Sequence, residues 1–256
     1  MPSTSRRTCP TPSSTSGVAS ACSTSPWLAG SAERRTGCIV TSAGRFRSVS
    51  KRVLIIGATG RTGHLLAEQA LGRGLGVSAL VRRPEALGEL QSRLSAVQGD
   101  VLDPAAVSRA VAGHDAVLCA LGPGRGSPPT LCSEGTRNLL SAMEAQGVRR
   151  LVCITGALIG HPREHLGWLY RRMRSALGAA IQDRQLQEQL ILRSGLDWTL
   201  VRPPRLDNGP ARGSWRVGED ISLGAMAHIN RADLASFMLQ QLDNPTLIRR
   251  GVAIAY

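Results

Sequence analysis

Gly57-Ala58-Thr59-Gly60-Arg61-Thr62-Gly63 follows the apolar run Arg52 to Gly57 (RVLIIG) directly and spaces its glycines at 57, 60 and 63. In a strand-to-helix turn, such glycines permit a tight bend, close approach of the backbone to a pyrophosphate, and close packing of helix on strand. Free N–H groups at the helix start then face the anion. A glycine string alone is weak evidence; its place between a strand and a helix predicts dinucleotide binding through the turn that Gly57, Gly60 and Gly63 shape.

The end of the second strand bears on the choice of cofactor. An acid there would hydrogen-bond the ribose 2′-OH of NAD(H), but the residues are Arg82-Arg83-Pro84. Two cations and no acid favour the 2′-phosphate of NADP(H), with Arg82 the main partner and Arg61 a second clamp. Asp100, after the third strand, is placed either to meet the adenine edge or to cap the turn that follows. Ala120, Leu121 and Gly122 end the fourth strand, where small residues let the chain pass close to the ribose, although core packing explains Ala120 and Leu121 equally well; Thr155 is the nearest hydroxyl at the end of the fifth. Tyr170 and Tyr256 are the two tyrosines and Lys51 the single lysine, against 30 arginines. Any scheme resting on a Tyr and a Lys a few residues apart is therefore removed.

Short apolar runs alternating with helical periodicity must hold these residues. Strands are expected at Arg52 to Gly57, Gly76 to Val81, Ser95 to Gly99, Asp115 to Leu121, Leu151 to Thr155, Trp198 to Arg202 and Gly251 to Ala255. Helices fill most of the gaps, one from Thr62 to Leu75 and a long one from about Leu166 to Arg193. This alternation predicts an α/β fold, a Rossmann-type doubly wound, mostly parallel sheet with helices on both faces, in a single domain. Residues 203–224, rich in Pro and Gly, should be mostly loop and form a substrate wall. Asn230 reads as a helix N-cap with Asp233 in the first turn.

The chain has 256 residues, 42% apolar, and a formal net charge of +13, a composition for a globular domain with a sizeable core. Residues 1–50 differ from the rest: 12 Ser, 7 Thr and six Arg stand against one acid, Glu33, without apolar periodicity. That segment is expected to be a disordered extension, and 51–256 the NAD(P)-binding domain. The extension fits three readings: an over-extended start or functionless tail, an organelle transit peptide, or a polyanion-binding arm. No uncharged apolar run reaches the roughly 18 to 20 residues of a spanning helix, so no membrane association is expected. The cysteines lack C-x-x-C pairing, which suits a reduced compartment. The cytoplasm is expected, or a plastid or mitochondrion if residues 1–50 are a transit peptide.

Five stretches resemble a known family. They are GATGRTG (57–63), GDVLDPAAVSRAVAGHDAVLCALG (99–122), SEGTRNLLSAMEAQGVRRLVCIT (133–155), SGLDWTLVRPPRL (194–206) and HINRADLASFML (228–239). The chain resembles the atypical short-chain dehydrogenase/reductases with an NAD(P)-binding, NmrA-like domain, particularly the biliverdin reductase B (flavin reductase) branch. The resemblance implies a Rossmann-type domain binding NADPH, with the loop after Arg202-Pro203-Pro204 closing over the nicotinamide. It implies cofactor contacts from Gly57, Thr59, Gly60, Arg61, Thr62, Arg82, Asp100, Leu121, Thr155 and Pro203.

The departures narrow the chemistry. Gly156 stands where the wider superfamily has a catalytic Ser, Tyr170 is followed at the Lys position by Arg174, and Arg184 stands where NmrA-like proteins commonly have Lys. Guanidinium does not replace Lys in a proton relay. What survives is hydride transfer to a planar conjugated small molecule (flavin, biliverdin-like or quinone) that can take its proton from water. Thr155 and Tyr170 are the candidate catalytic side chains. The competing class is a non-catalytic NADP(H)-binding regulator or assembly factor. No nucleic-acid partner is expected, because the excess charge lies partly in residues 1–50 and Arg61 and Arg82 have a cofactor phosphate to meet. His161 and His165 flank Pro162 without a third ligand, so no metal site is expected.

Overall fold

A computed structural model of the chain describes residues 50–124, 126–160, 178–224 and 226–256. Tyr170, Arg174, His161, His165 and the segment 1–49 lie outside the described residues.

The run RVLII forms β1 (Arg52–Ile56), apolar on both faces because both faces are covered. Val53 and Ile55 join one core with α1 (Arg61–Gly72) and α6 (Arg231–Gln240). Leu54 and Ile56 join the other, with α2 (Pro104–Val111) and α3 (Leu131–Ala145). The same alternation recurs in β4 (Ala116–Cys119) and β5 (Arg150–Ile154).

With β2 (Gly76–Val81), β3 (Ser95–Gln98), β6 (Asp197–Arg202), β8 (Arg216–Gly218) and β10 (Arg250–Ala255), the sheet has the order β3-β2-β1-β4-β5-β6-β10-β8. All pairings are parallel except that of β8 with β10. The chain leaves β1 for β2 on one side and crosses to β4 on the other, so the topological switch lies between β1 and β4. This is the expected Rossmann-type fold. Helix α4 (Ala157–Gly160) follows β5, and α5 (Gly178–Arg193) packs on α3. Asp183 of α5 fixes that packing: its two oxygens accept from the amides of Cys132 and Ser133, each at 2.9 Å, and so cap the start of α3. No described helix is long and apolar enough to cross a membrane.

Residues 203–224 are mostly loop, as expected, with two short strands among them, and the expected Asn230 cap needs correction. The strands are β7 (Arg205–Asp207), paired with β9 (His228–Asn230), and β8 on the sheet edge. Three-residue strands owe their existence to distant partners, and local Pro and Gly content hides them. Asn230 occupies the N-cap position of α6 without a capping hydrogen bond; its side-chain amide donates to the Pro210 carbonyl at 2.7 Å. Asp233 likewise turns from its helix to accept from the amides of Arg212 (2.8 Å) and Gly213 (3.0 Å).

Candidate functional site

The turn after β1 is shaped by two glycines. Gly57 has φ +83°, and a Cβ there would lie 2.6 Å from the Ala120 carbonyl oxygen, so side chains are excluded by conformation and by space. A Cβ on Gly63 would lie 2.0 Å from the Gly57 carbonyl oxygen, which seats α1 directly on the turn. Gly60 is the N-cap of α1 and offers no side-chain cap, and no acid stands in the first turn. The helix therefore begins with amide donors that no side chain serves, a start suited to an external anion.

A cleft of about 790 Å³ opens at this point, along the carboxyl ends of the parallel strands. Gly60, Arg61 and Thr62 form its phosphate-loop wall, and Ala120 to Pro123 after β4 and Ile154 to Ala157 after β5 form its floor. Ile159, Ala180, Ile181 and Arg184 border it on one side, and Pro203 to Leu206, Met226, Ala227 and Arg231 on the other. Backbone bonds fix the floor: the Thr155 amide donates to the Val201 carbonyl at 2.9 Å and the Ala157 amide to the Pro203 carbonyl at 3.0 Å.

Of the residues expected from the sequence, Gly60, Arg61, Thr62, Leu121, Gly122, Thr155 and Pro203 line this cleft. Gly57, Thr59, Gly63, Arg82 and Asp100 do not. Gly57 and Gly63 act from behind by shaping the loop, and Thr59 is exposed on its outer side. Ile56 is level with Leu80 in the sheet, so Arg82, just beyond β2, stands beside the phosphate loop away from the cleft. It is exposed and makes no hydrogen bond or ion pair among the described residues. Asp100 accepts from the Leu102 amide at 3.0 Å, the turn-capping option. Lys51 binds the Leu242 carbonyl (3.0 Å) and Asp243 (2.6 Å) ahead of β1, at the opposite end of the sheet from the cleft.

Behind the floor lies a network that the sequence does not announce. The buried Thr155 hydroxyl donates to Glu188 Oε1 at 2.5 Å. Glu188 in turn receives Arg202 Nε at 3.0 Å and Nη2 at 2.8 Å. Arg184 joins two strand ends, donating to the Leu121 carbonyl at 2.8 Å and the Ile154 carbonyl at 3.0 Å. A third bond, to Gln187 Oε1 at 2.9 Å, holds it in place. The guanidinium at the expected Lys position is thus a brace between β4 and β5. Cys119 and Cys153 are register partners on those strands, and they and Cys132 are buried free thiols. Burial pushes the Cys132 thiol up to about 12, which suits packing better than reactivity.

Arg231 is among the lining residues that the sequence reading missed. It lies 170 positions from Arg61, and no local spacing links the two. Only the packing of α6 against α1 brings both to the cleft, with Gln69 Nε2 donating to the Ala232 carbonyl at 2.9 Å.

Residues 57–245 match the family model described as NAD(P)H-binding. Among curated proteins, an uncharacterised chloroplastic protein of Arabidopsis thaliana is 33% identical over 176 residues, covering 64% of this chain and 62% of the plant protein. The chain thus spans about three fifths of that relative's length. A (4-alkanoyl-5-oxo-2,5-dihydrofuran-3-yl)methyl phosphate reductase of Streptomyces griseus is 32% identical over 151 residues, 59% of this chain and 46% of that enzyme. Among solved structures, an anaerobillin reductase of Escherichia coli O157:H7 superposes with a TM-score of 0.69 at 22% identity. That match covers 80% of this chain and 96% of the other, and it is a likeness of fold.

Proposed function

The chain belongs to the NAD(P)H-binding family, and from that membership we propose that it is an NADPH-dependent reductase of a planar conjugated acceptor, working by direct hydride transfer without a Tyr/Lys relay. One observation carries this reading. Among the described residues lining the cleft, none is a carboxylic acid, imidazole, phenol or amine. The one hydroxyl group there besides that of Thr62 belongs to Thr155, and its proton is directed at Glu188.

The chain's own contributions are positioning and exclusion. The uncapped first turn of α1 and the Gly57 turn fit a pyrophosphate, and the small residues Ala120, Gly122 and Gly156 leave room along the strand ends for a flat ring system. A reduced nicotinamide bound there supplies the hydride. Thr155 lines the cleft with its proton given to Glu188, so toward a ligand it can accept from an amide group but does not donate. Ile154, Ala157, Ile159 and Ile181 make a mainly apolar wall that keeps water from the reacting face. An acceptor whose reduced form takes its proton from solvent is matched to these described lining residues. The reductase activities named for the Streptomyces and Escherichia coli proteins are in keeping with this class.

Arg82 and Arg83, exposed beyond β2 with no acid at that strand end, support NADP(H) over NAD(H). The chloroplastic relative supports residues 1–50 as a transit peptide, and fusing that segment to a fluorescent reporter decides between a plastid and the cytoplasm.

The second reading, an NADP(H)-binding regulator without turnover, is favoured by Gly156 at the superfamily's Ser position and by the committed Thr155 proton. Oxidation of NADPH followed with FMN and a panel of quinones separates the two. Turnover supports the reductase; tight NADPH binding with no turnover on any acceptor overturns it in favour of the regulator.

A further inference from the structure

Arg61 and Arg231 face the same cleft from the first residues of α1 and α6, two helices packed side by side. Arg231 is half-buried and fixed in place, donating through Nη1 to the Leu206 carbonyl at 3.1 Å and to Asn208 Oδ1 at 2.6 Å. Both acceptors are neutral, so they orient the guanidinium without matching its charge.

Neither arginine has an ion-pair partner among the described residues. Asp207, the acid nearest in effect, favours the charged form of Arg231 but is itself bound by Arg205 at 3.1 Å. Burial, and then the charge of Arg61, hold the Arg231 guanidinium below its ordinary value, although a guanidinium stays protonated. Two like charges lining one cleft, one of them pinned by neutral oxygens, oppose each other until an anion joins them.

We propose that Arg61 and Arg231 form an oxyanion site and that the acceptor reduced here carries a phosphate or carboxylate group held by Arg231. The position of Arg231 argues for the acceptor as the source. Its anchors, Leu206 and Asn208, belong to the segment after β6 and not to the phosphate loop, and Arg205 of the same segment, paired with Asp207, also lines the cleft. The dinucleotide's pyrophosphate is the other source of the same chemistry, and it would sit on the backbone amides at the start of α1. The acceptor assignment rests on the reductase reading; the existence of the site does not.

FMN and riboflavin differ by one phosphate and test the proposal without requiring turnover. Binding of each to the full chain with saturating NADP+ is followed by quenching of flavin fluorescence. The wild type is expected to bind FMN about tenfold more tightly than riboflavin, the scale of one charge-assisted contact. Arg231→Gln is expected to bring the ratio to about one with riboflavin affinity unchanged, and Arg231→Lys to retain part of the preference. Asn208→Ala, which loosens the anchor and keeps the charge, should preserve it and controls for loop damage.

An unchanged FMN preference in Arg231→Gln, or no binding of either flavin, overturns the proposal. Weaker NADP+ binding by Arg231→Gln with the flavin ratio intact assigns the oxyanion to the pyrophosphate and overturns the acceptor assignment. FMN preference that depends on Arg231, in a protein that never oxidises NADPH, leaves the site standing and removes the reductase reading alone.

Discussion

Thr155 Oγ1 donates its proton to Glu188 Oε1 at 2.5 Å, and Glu188 is paired on its far side with Arg202 at 2.8 Å. The hydroxyl closest to where a Rossmann fold brings its hydride thus points into the wall. A carboxylate buried beneath it is balanced by a guanidinium from the neighbouring strand, and that guanidinium also donates to the Gly251 carbonyl of β10 at 3.2 Å. The ends of β5 and β6 are tied to the start of β10 by this buried charge pair.

Thr155→Val is therefore expected to keep kcat for FMN or quinone reduction within about tenfold, because a proton donor to the acceptor would lose about 100- to 10,000-fold. Glu188→Gln should behave differently: it leaves Arg202 buried without its counter-charge and costs on the order of 3 kcal/mol of stability. Urea denaturation of both variants beside their steady-state kinetics makes the comparison. A loss of kcat in Thr155→Val at unchanged stability would show that the hydroxyl acts on the acceptor.

Two glycines of the site should respond oppositely to substitution. Gly57→Ala places a Cβ 2.6 Å from the Ala120 carbonyl at a φ of +83°. It should lose about 2–4 kcal/mol together with dinucleotide binding. A Cβ on Gly156 meets nothing within 4 Å, so Gly156→Ser should stay within about 0.5 kcal/mol of wild type. It should bind NADPH normally and gain no alcohol oxidation, since a restored hydroxyl has no Tyr/Lys pair to act with. Thermal melts and an alcohol-oxidation assay check the pair.

The phosphate loop, the parallel sheet and most strand bounds were legible because their signals are local. An apolar run, a glycine spacing and a return to helical periodicity each lie within a dozen residues. Residues that act through partners far along the chain were not. Asn230 and Asp233 look like a cap and a first-turn acid, yet the loop bearing Pro210, Arg212 and Gly213 offers them unpaired backbone groups and takes both. Arg184 looked like a failed lysine and is a brace, because its fork reaches two carbonyls at once. Arg231 carried no local signal at all. Asp100 had two readings in the sequence, and its bond to the Leu102 amide gives the turn-capping one a definite partner.

The cofactor preference is checked at Arg82. Arg82→Ala should weaken NADPH binding by about ten- to a hundredfold, the scale of a lost hydrogen bond to a charged group, while NADH binding is unchanged. Kd values for both from nucleotide fluorescence give the answer, and an unchanged NADPH to NADH ratio rules out Arg82 as the 2′-phosphate partner.

Acid stability should depend on the loop that Asp233 ties to α6. Asp233 is buried and accepts from the amides of Arg212 and Gly213 and from the Tyr256 hydroxyl, while Arg212 lies 4.0 Å over the Tyr256 ring. Burial opposes its charge, but the Arg212 amide, the Tyr256 hydroxyl and the Gly213 amide outweigh burial and hold the carboxyl below its ordinary value of 3.8. A carboxyl depressed on folding adds stability that is fully present above its unfolded value and is lost as pH falls from about 4 through the folded value. Tyr256→Phe removes one of these donors, so the folded value should move up toward the unfolded one; the acid loss still begins near pH 4 but is smaller and ends at a higher pH. Asp233→Asn removes the titration and should flatten that limb, at a cost near neutrality of about 2 kcal/mol for the two charge-assisted bonds to loop amides. Melting temperatures of the three proteins from about pH 3 to pH 7 test the assignment. An acid limb in Asp233→Asn as steep as that of the wild type would place the responsible carboxyl elsewhere.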